Sequence, residues 1–139
     1  MKKILLTICT ILICANTIVA QVTISRSELV GTKWQISEVY ERHESAYYEF
    51  TKEEFIWHRD DGTTWPSSFY LSNTIPEKFD STKVGVSTSG CYFNKYINKD
   101  HFTCYAILSF DKSKGKMVLD LKNEKFIGPD DPVTFILMK

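Results

Sequence analysis

From Trp34 the chain alternates. Trp34, Ile36 and Tyr40 fall on one side and Lys33, Gln35, Ser37 and Glu41 on the other, the period of two expected of a half-buried strand. Glu38 interrupts the pattern by standing on the apolar side. Two further runs, Tyr47 to Phe50 and Glu54 to Arg59, are joined by Thr51 to Glu53. A hairpin that sets Phe50 opposite Phe55 also sets Tyr48 opposite Trp57, so four aromatic side chains share one face. Asp61-Gly62 is the strongest hairpin signal in the chain. It returns the backbone into Ser67 to Leu71, where Pro66 makes the strand begin late or lie at a bulge.

The stretch from Ile75 to Gly90, with Pro76, Gly85, Gly90 and scattered Ser and Thr, reads as a long loop holding a short strand at Val84-Gly85-Val86. Strands then follow over Cys91 to Ile97 and Phe102 to Phe110, flanking Asn98-Lys99-Asp100. Lys116 to Leu121 comes after the turn Lys112-Ser113-Lys114-Gly115, and Val133 to Met138 comes after Gly128 to Pro132. Pairing 110 with 117, 108 with 119 and 106 with 121 brings Phe110, Met117, Leu108, Leu119, Ala106 and Leu121 into one apolar face. Ser25-x-x-Glu28 has the spacing of a capping box, which predicts a short helical turn before the first strand. The sum is an all-β domain of about eight short strands joined mostly by hairpin turns. An eight-stranded antiparallel up-and-down barrel removes the sheet's edges. A two-sheet sandwich has a similar signature.

Composition sharpens the picture at the amino terminus. Lys2 and Lys3 precede an apolar run from Ile4 to Ala15, and Ala20 stands before Gln21. That succession is a secretory signal. The run is shorter than the roughly 20 apolar residues of a spanning helix, and Cys9 and Cys14 follow Ile8 and Ile13 rather than the small residue that lipid attachment requires. The expectation is a signal peptide over 1–20, cleavage near Ala20/Gln21, and a single secreted or periplasmic domain over 21–139.

After residue 20 there remain 15 basic against 17 acidic side chains, a net charge of −2. A near-neutral surface gives no electrostatic reason to expect nucleic acid or anionic lipid as partner. All three Trp, seven Tyr and nine Phe lie in this part, which favours pleated, half-buried surfaces. Two cysteines remain, Cys91 and Cys104. A turn at Asn98-Lys99-Asp100 sets Lys95 opposite Cys104 and Cys91 opposite Leu108, which leaves the two cysteines about 13 Å apart along one face at strand rise. A disulfide needs Cα atoms within about 7 Å, so two free thiols are expected.

Leu29-Val30-Gly31-Thr32-Lys33-Trp34 resembles the opening of lipocalin-like domains, and Tyr70 to Asp80 followed by Lys83-Val84-Gly85 is similar to secreted lipocalin-like proteins of Bacteroides-type bacteria. The resemblance implies a calycin-type barrel in which Gly31 and Trp34 are structural, with Trp34 packed across the barrel floor.

Chemistry-bearing groupings are sparse. His43, His58 and His101 lack the short spacings of metal motifs. Asp60-Asp61 and Asp130-Asp131 sit in turns, where Asp stabilises backbone directly. No Gly-x-Ser-x-Gly or phosphate-cradling loop occurs, so neither an enzyme nor a cofactor is expected. The expected activity is non-catalytic binding of a small, partly apolar ligand beside Tyr40, Tyr48, Phe55 and Trp57, which combine aromatic faces with hydroxyl tips. The alternative is a protein-interaction or inhibitor module with a filled barrel, which uses the 72–90 loop and the aromatic hairpin near Trp65 as its contact surface.

Overall fold

The alternating strands close on themselves. In a computed structural model that describes residues 21–36, 46–123 and 132–139, the elements run β1 (Ile24–Ser25), α1 (Arg26–Leu29), β2 (Lys33–Ile36), β3 (Tyr47–Phe50), β4 (Glu54–His58), β5 (Thr64–Ser72), a 3-10 turn (Ser81–Lys83), β6 (Ser89–Gly90), β7 (Tyr92–Asn98), β8 (His101–Asp111), β9 (Lys116–Leu121) and β10 (Val133–Leu137). Eight of the strands form a closed barrel in the order β10-β2-β3-β4-β5-β7-β8-β9, and β1 pairs separately with β6. All barrel pairs are antiparallel. Closure excludes the sandwich. Residues 1–20, Glu38, Tyr40, His43 and the pair Asp130-Asp131 lie outside the described residues.

The entry to the barrel is built by local hydrogen bonds. The Ser25 N–H donates to the Glu28 carboxylate at 2.8 Å, which ties down the start of the four-residue helix α1. Gly31 turns the chain at φ 80°, a left-handed value that glycine adopts without strain, and its N–H reaches the Phe50 carbonyl at 2.8 Å. Thr32 donates its hydroxyl to the Leu29 carbonyl and accepts the Trp34 indole N–H at 2.7 Å. Trp34 is thereby satisfied and fully buried, at 0 % exposure.

The hairpin between β3 and β4 has the expected register, with Tyr48 opposite Trp57 and Phe50 opposite Phe55. The Asp61-Gly62 turn joins β4 to β5, with Gly62 at φ 82° and the Asp61 carboxylate accepting from the Thr63 N–H at 2.9 Å.

The structure corrects several expectations of strand placement and register. β5 begins at Thr64, before Pro66 rather than after it. Bonds from Phe69 N to Glu53 O and from Arg59 N to Thr63 O fix the alternation of pairs, which makes Ile56–Pro66 a non-hydrogen-bonded pair. The proline nitrogen therefore faces away from β4. Pairing of β5 with β7 starts only at Phe69, so no ladder donor is missed. No strand forms at Val84-Gly85-Val86; a 3-10 turn precedes those residues, and the short strand lies later, at Ser89–Gly90, against β1. The β8–β9 register also shifts by one. A bulge between Ile107 and Ser109 leaves 110 opposite 117 but sets 107 opposite 119 and 105 opposite 121. One extra residue keeps Ile107 and Phe110 both on the inner face of a strand eleven residues long.

The segment between β5 and β6 packs on the outside of the barrel. Phe79 lies 5.1 Å from the Tyr70 ring, 5.2 Å from Tyr96 and 6.4 Å from Phe102. The Tyr70 hydroxyl accepts from the Asp80 N–H at 3.3 Å, and the Ser87 hydroxyl accepts from the Leu71 N–H at 3.0 Å. Much of this long connection, which the sequence offers as a contact surface, is thus engaged with its own barrel wall.

Cys91 and Cys104 are free thiols, although Cys104 stands opposite Asn94 rather than Lys95. Cys104 is fully buried, and burial pushes its thiol up to about 12, with Cys91 adding to the effect.

Candidate functional site

Side chains facing the barrel axis change character from one end to the other. At the end closed by α1, Leu29, Trp34, Phe50, Phe69, Ile107 and Met117 are buried in one apolar cluster. Phe50, Phe69 and Phe93 form a triangle of rings 5.4 to 5.6 Å apart, and Phe110 packs on Trp34 at 5.9 Å. Tilted and edge-on contacts of this kind fill space densely. This is the barrel floor, and Trp34 lies in it.

Towards the opposite end the same inner face becomes accessible. Tyr48, Trp57, Lys95 and Tyr105 are half-buried, and Ile36 is 37 % exposed. At this end β2 stops at Ile36 and β9 at Leu121, and β3 and β10 begin at Tyr47 and Val133. Three of the four expected ligand-binding residues meet here. The Tyr48 ring stacks on Phe55 at 4.9 Å and on Trp57 at 6.2 Å, while Phe135 meets Tyr48 edge-on at 5.6 Å. Phe55, at 4 % exposure, forms the base of this group. The fourth, Tyr40, lies outside the described residues. Trp65 stands at the rim opposite Trp57 and is 59 % exposed. The Arg59 guanidinium lies over both indoles, at 5.3 and 5.6 Å, within cation–π range.

Polar groups that the sequence left unassigned enter the same space. β7 sets Lys95 opposite Phe69 on one side and Thr103 on the other, all facing inward with Phe93 and Tyr105. The Lys95 ammonium sits 5.6 Å from the centre of the Phe55 ring. Burial lowers its pKa below the usual lysine value, because a low-dielectric surround disfavours the charged form. Tyr48 is shifted upward to about 12, by burial and then by the neighbouring Tyr105, so its hydroxyl stays protonated and able to donate. Thr103 is 3 % exposed, and its hydroxyl has no hydrogen-bond partner among the described residues. A buried hydroxyl left in that state costs about 1–3 kcal/mol.

The signal that might have found Lys95 was present: Phe93, Lys95 and Ile97 share a parity. A lysine in a strand ordinarily marks the solvent face, however, and only the fixed register reverses that reading.

The remaining candidates lie elsewhere. His58 points outward, 2.8 Å from the Glu49 carboxylate and stacked on Tyr47 at 4.3 Å. His101 is exposed and 3.2 Å from the Asn98 side-chain oxygen. Among the described residues no three His, Cys, Asp or Glu side chains converge as a metal site would require. No helix among them is long and apolar enough to cross a membrane. A recess of about 550 Å³ lies outside the barrel, between Phe79 and the β7–β8 hairpin, and carries Lys78, Lys99, Glu77 and Asp100 around its apolar base. No family model matches this chain, and no curated protein or solved structure gives a significant match to it.

Proposed function

We propose that this chain is a secreted, non-catalytic binding protein of lipocalin-like type that takes a small, partly apolar ligand into the accessible end of its barrel. One observation carries the reading: the inner face is sealed by aromatic packing at one end, yet at the other it presents the Tyr48–Phe55–Trp57 stack half-open. Aromatic walls with a few fixed polar groups are the usual lining of small-molecule sites. Flat rings offer large contact area at little conformational cost, and hydroxyl tips orient what they hold. The basic and apolar segment over residues 1–20 supports export as the route to the working protein.

Trp57 and Trp65 make the test direct. Titration with a panel of fatty, sterol-like and aromatic compounds should give a saturable change in tryptophan fluorescence, abolished in Trp57→Leu. A bound compound at a hundred times its Kd should also raise the stability of the fold by about 2.7 kcal/mol. A panel without any saturable response would overturn the reading and move it to a protein-interaction module.

A further inference from the structure

We propose that the barrel is selective for anionic amphiphiles, with the carboxylate or equivalent acidic group of the ligand held by Lys95 and Thr103 above the Phe55 ring. The inference rests on the ligand-binding reading and names the chemistry of that same site. Its first support is register. Lys95 is fixed on the inner face between Phe69 and Thr103, and its ammonium lies over an aromatic ring rather than in open solvent. The second support is that no internal counter-ion stands among the described residues. No described Asp or Glu shares the inward parity of the barrel strands, since Glu49, Glu54, Asp111 and Asp120 all fall on the outer parity. Among the described residues Lys95 accordingly makes no ion pair.

The third support is independent of charge. The cross-strand neighbour of Lys95 is Thr103, whose buried hydroxyl has no hydrogen-bond partner among the described residues. Directly opposed strand residues hold their Cβ atoms about 5 Å apart. One acidic group can therefore accept from both the ammonium and the hydroxyl. Two unmet demands in adjacent positions are satisfied by a single carboxylate, and charge-assisted bonds of this kind are stronger than neutral ones. The Tyr48–Trp57 wall beside them supplies apolar contact for the rest of the molecule. Cation–π attraction to Phe55 holds Lys95 in place only weakly, so the ammonium is free to exchange the ring for an anion.

The test compares compounds that differ only at the head group: decanoate with decanol and decylamine, and naphthylacetate with naphthylethanol. Each is titrated at pH 7 against the mature chain, Lys95→Met and Thr103→Val. Carboxylates should bind the unaltered chain at least tenfold more tightly than the matching alcohols, and decylamine should bind least. Lys95→Met should bring carboxylate and alcohol to equal affinity, while its retained alcohol binding shows that the barrel is intact. Thr103→Val should weaken the carboxylates alone. Alcohols that bind the unaltered chain as tightly as the carboxylates, or a carboxylate preference that survives Lys95→Met, would overturn the anion inference and leave the binding reading standing. Failure of all five compounds to bind would overturn both.

Discussion

Lys95 occupies a position where the barrel's own alternation would favour an apolar side chain. Its folded pKa lies below its unfolded one, so at pH 7 the charged form opposes folding. That penalty fades as pH rises through the folded pKa towards 10.5. Lys95→Met should therefore raise the melting temperature at pH 7, and the gain over the unaltered chain should shrink as pH climbs towards the lysine range. A melting series that shows Lys95→Met to be the less stable protein at pH 7 would mean that the ammonium has a favourable partner. The two thiols allow a second test at this scale. Cys104 is buried with its pKa pushed up to about 12, whereas Cys91 is half-exposed. Thiolate is the reactive species, so alkylation of the native protein should label Cys91 alone, and denaturation without reductant should then add one label at Cys104. Mass spectrometry of the two steps reads the outcome.

Among the elements, the β1–β6 pair depends on a close approach. A methyl group placed on Gly90 would lie 2.5 Å from both the backbone nitrogen and the oxygen of Ser72, and backbone atoms cannot rotate away. Gly90→Ala should cost about 1–3 kcal/mol, the usual range for overpacking, read from denaturant unfolding. A change under about 0.5 kcal/mol, typical of open surface, would show that β6 shifts freely from β5. Elements also differ in how far the sequence announces them. The pairs 48/57 and 50/55 follow from alternation across three linking residues, and Asp61-Gly62 fixes the next hairpin by its turn chemistry. The β8–β9 bulge has no such signal. Any residue along β8 could be the extra one, and only the need to keep both Ile107 and Phe110 facing Leu119 and Met117 places it at Leu108. Pro66 misleads because its tolerance depends on which edge of β5 is paired, a fact set by β7 some thirty residues later. The site divides in the same way. Tyr48, Phe55 and Trp57 are visible as aromatic residues of one parity, while Lys95 and Thr103 become interior only once the register across β5, β7 and β8 is fixed.

Across the whole molecule, the packed core and the proposed binding end lie at opposite ends of one barrel. Trp34→Ala removes a fully buried indole from the floor and should cost about 3–5 kcal/mol. Trp57→Ala, at the half-open end, should cost clearly less in urea unfolding while eliminating the fluorescence response to bound compound. Equal losses of stability at the two positions would show that the barrel is packed from end to end.

The closing of the barrel also determines when the protein can become itself. β10 lies between β9 and β2, and Met138 donates its N–H to Lys33 at 2.8 Å, joining residues more than a hundred positions apart. Contacts of such sequence separation form late, since the entropy of closing the loop comes before any reward. Until β10 is available, the other seven barrel strands can form only an open sheet, with β2 and β9 presenting bare edges to any neighbour. A chain made from its amino terminus onward is thus held short of its closed barrel until β10 has been made. Under the export proposed above, that delay would keep the chain threadable until β10 arrives.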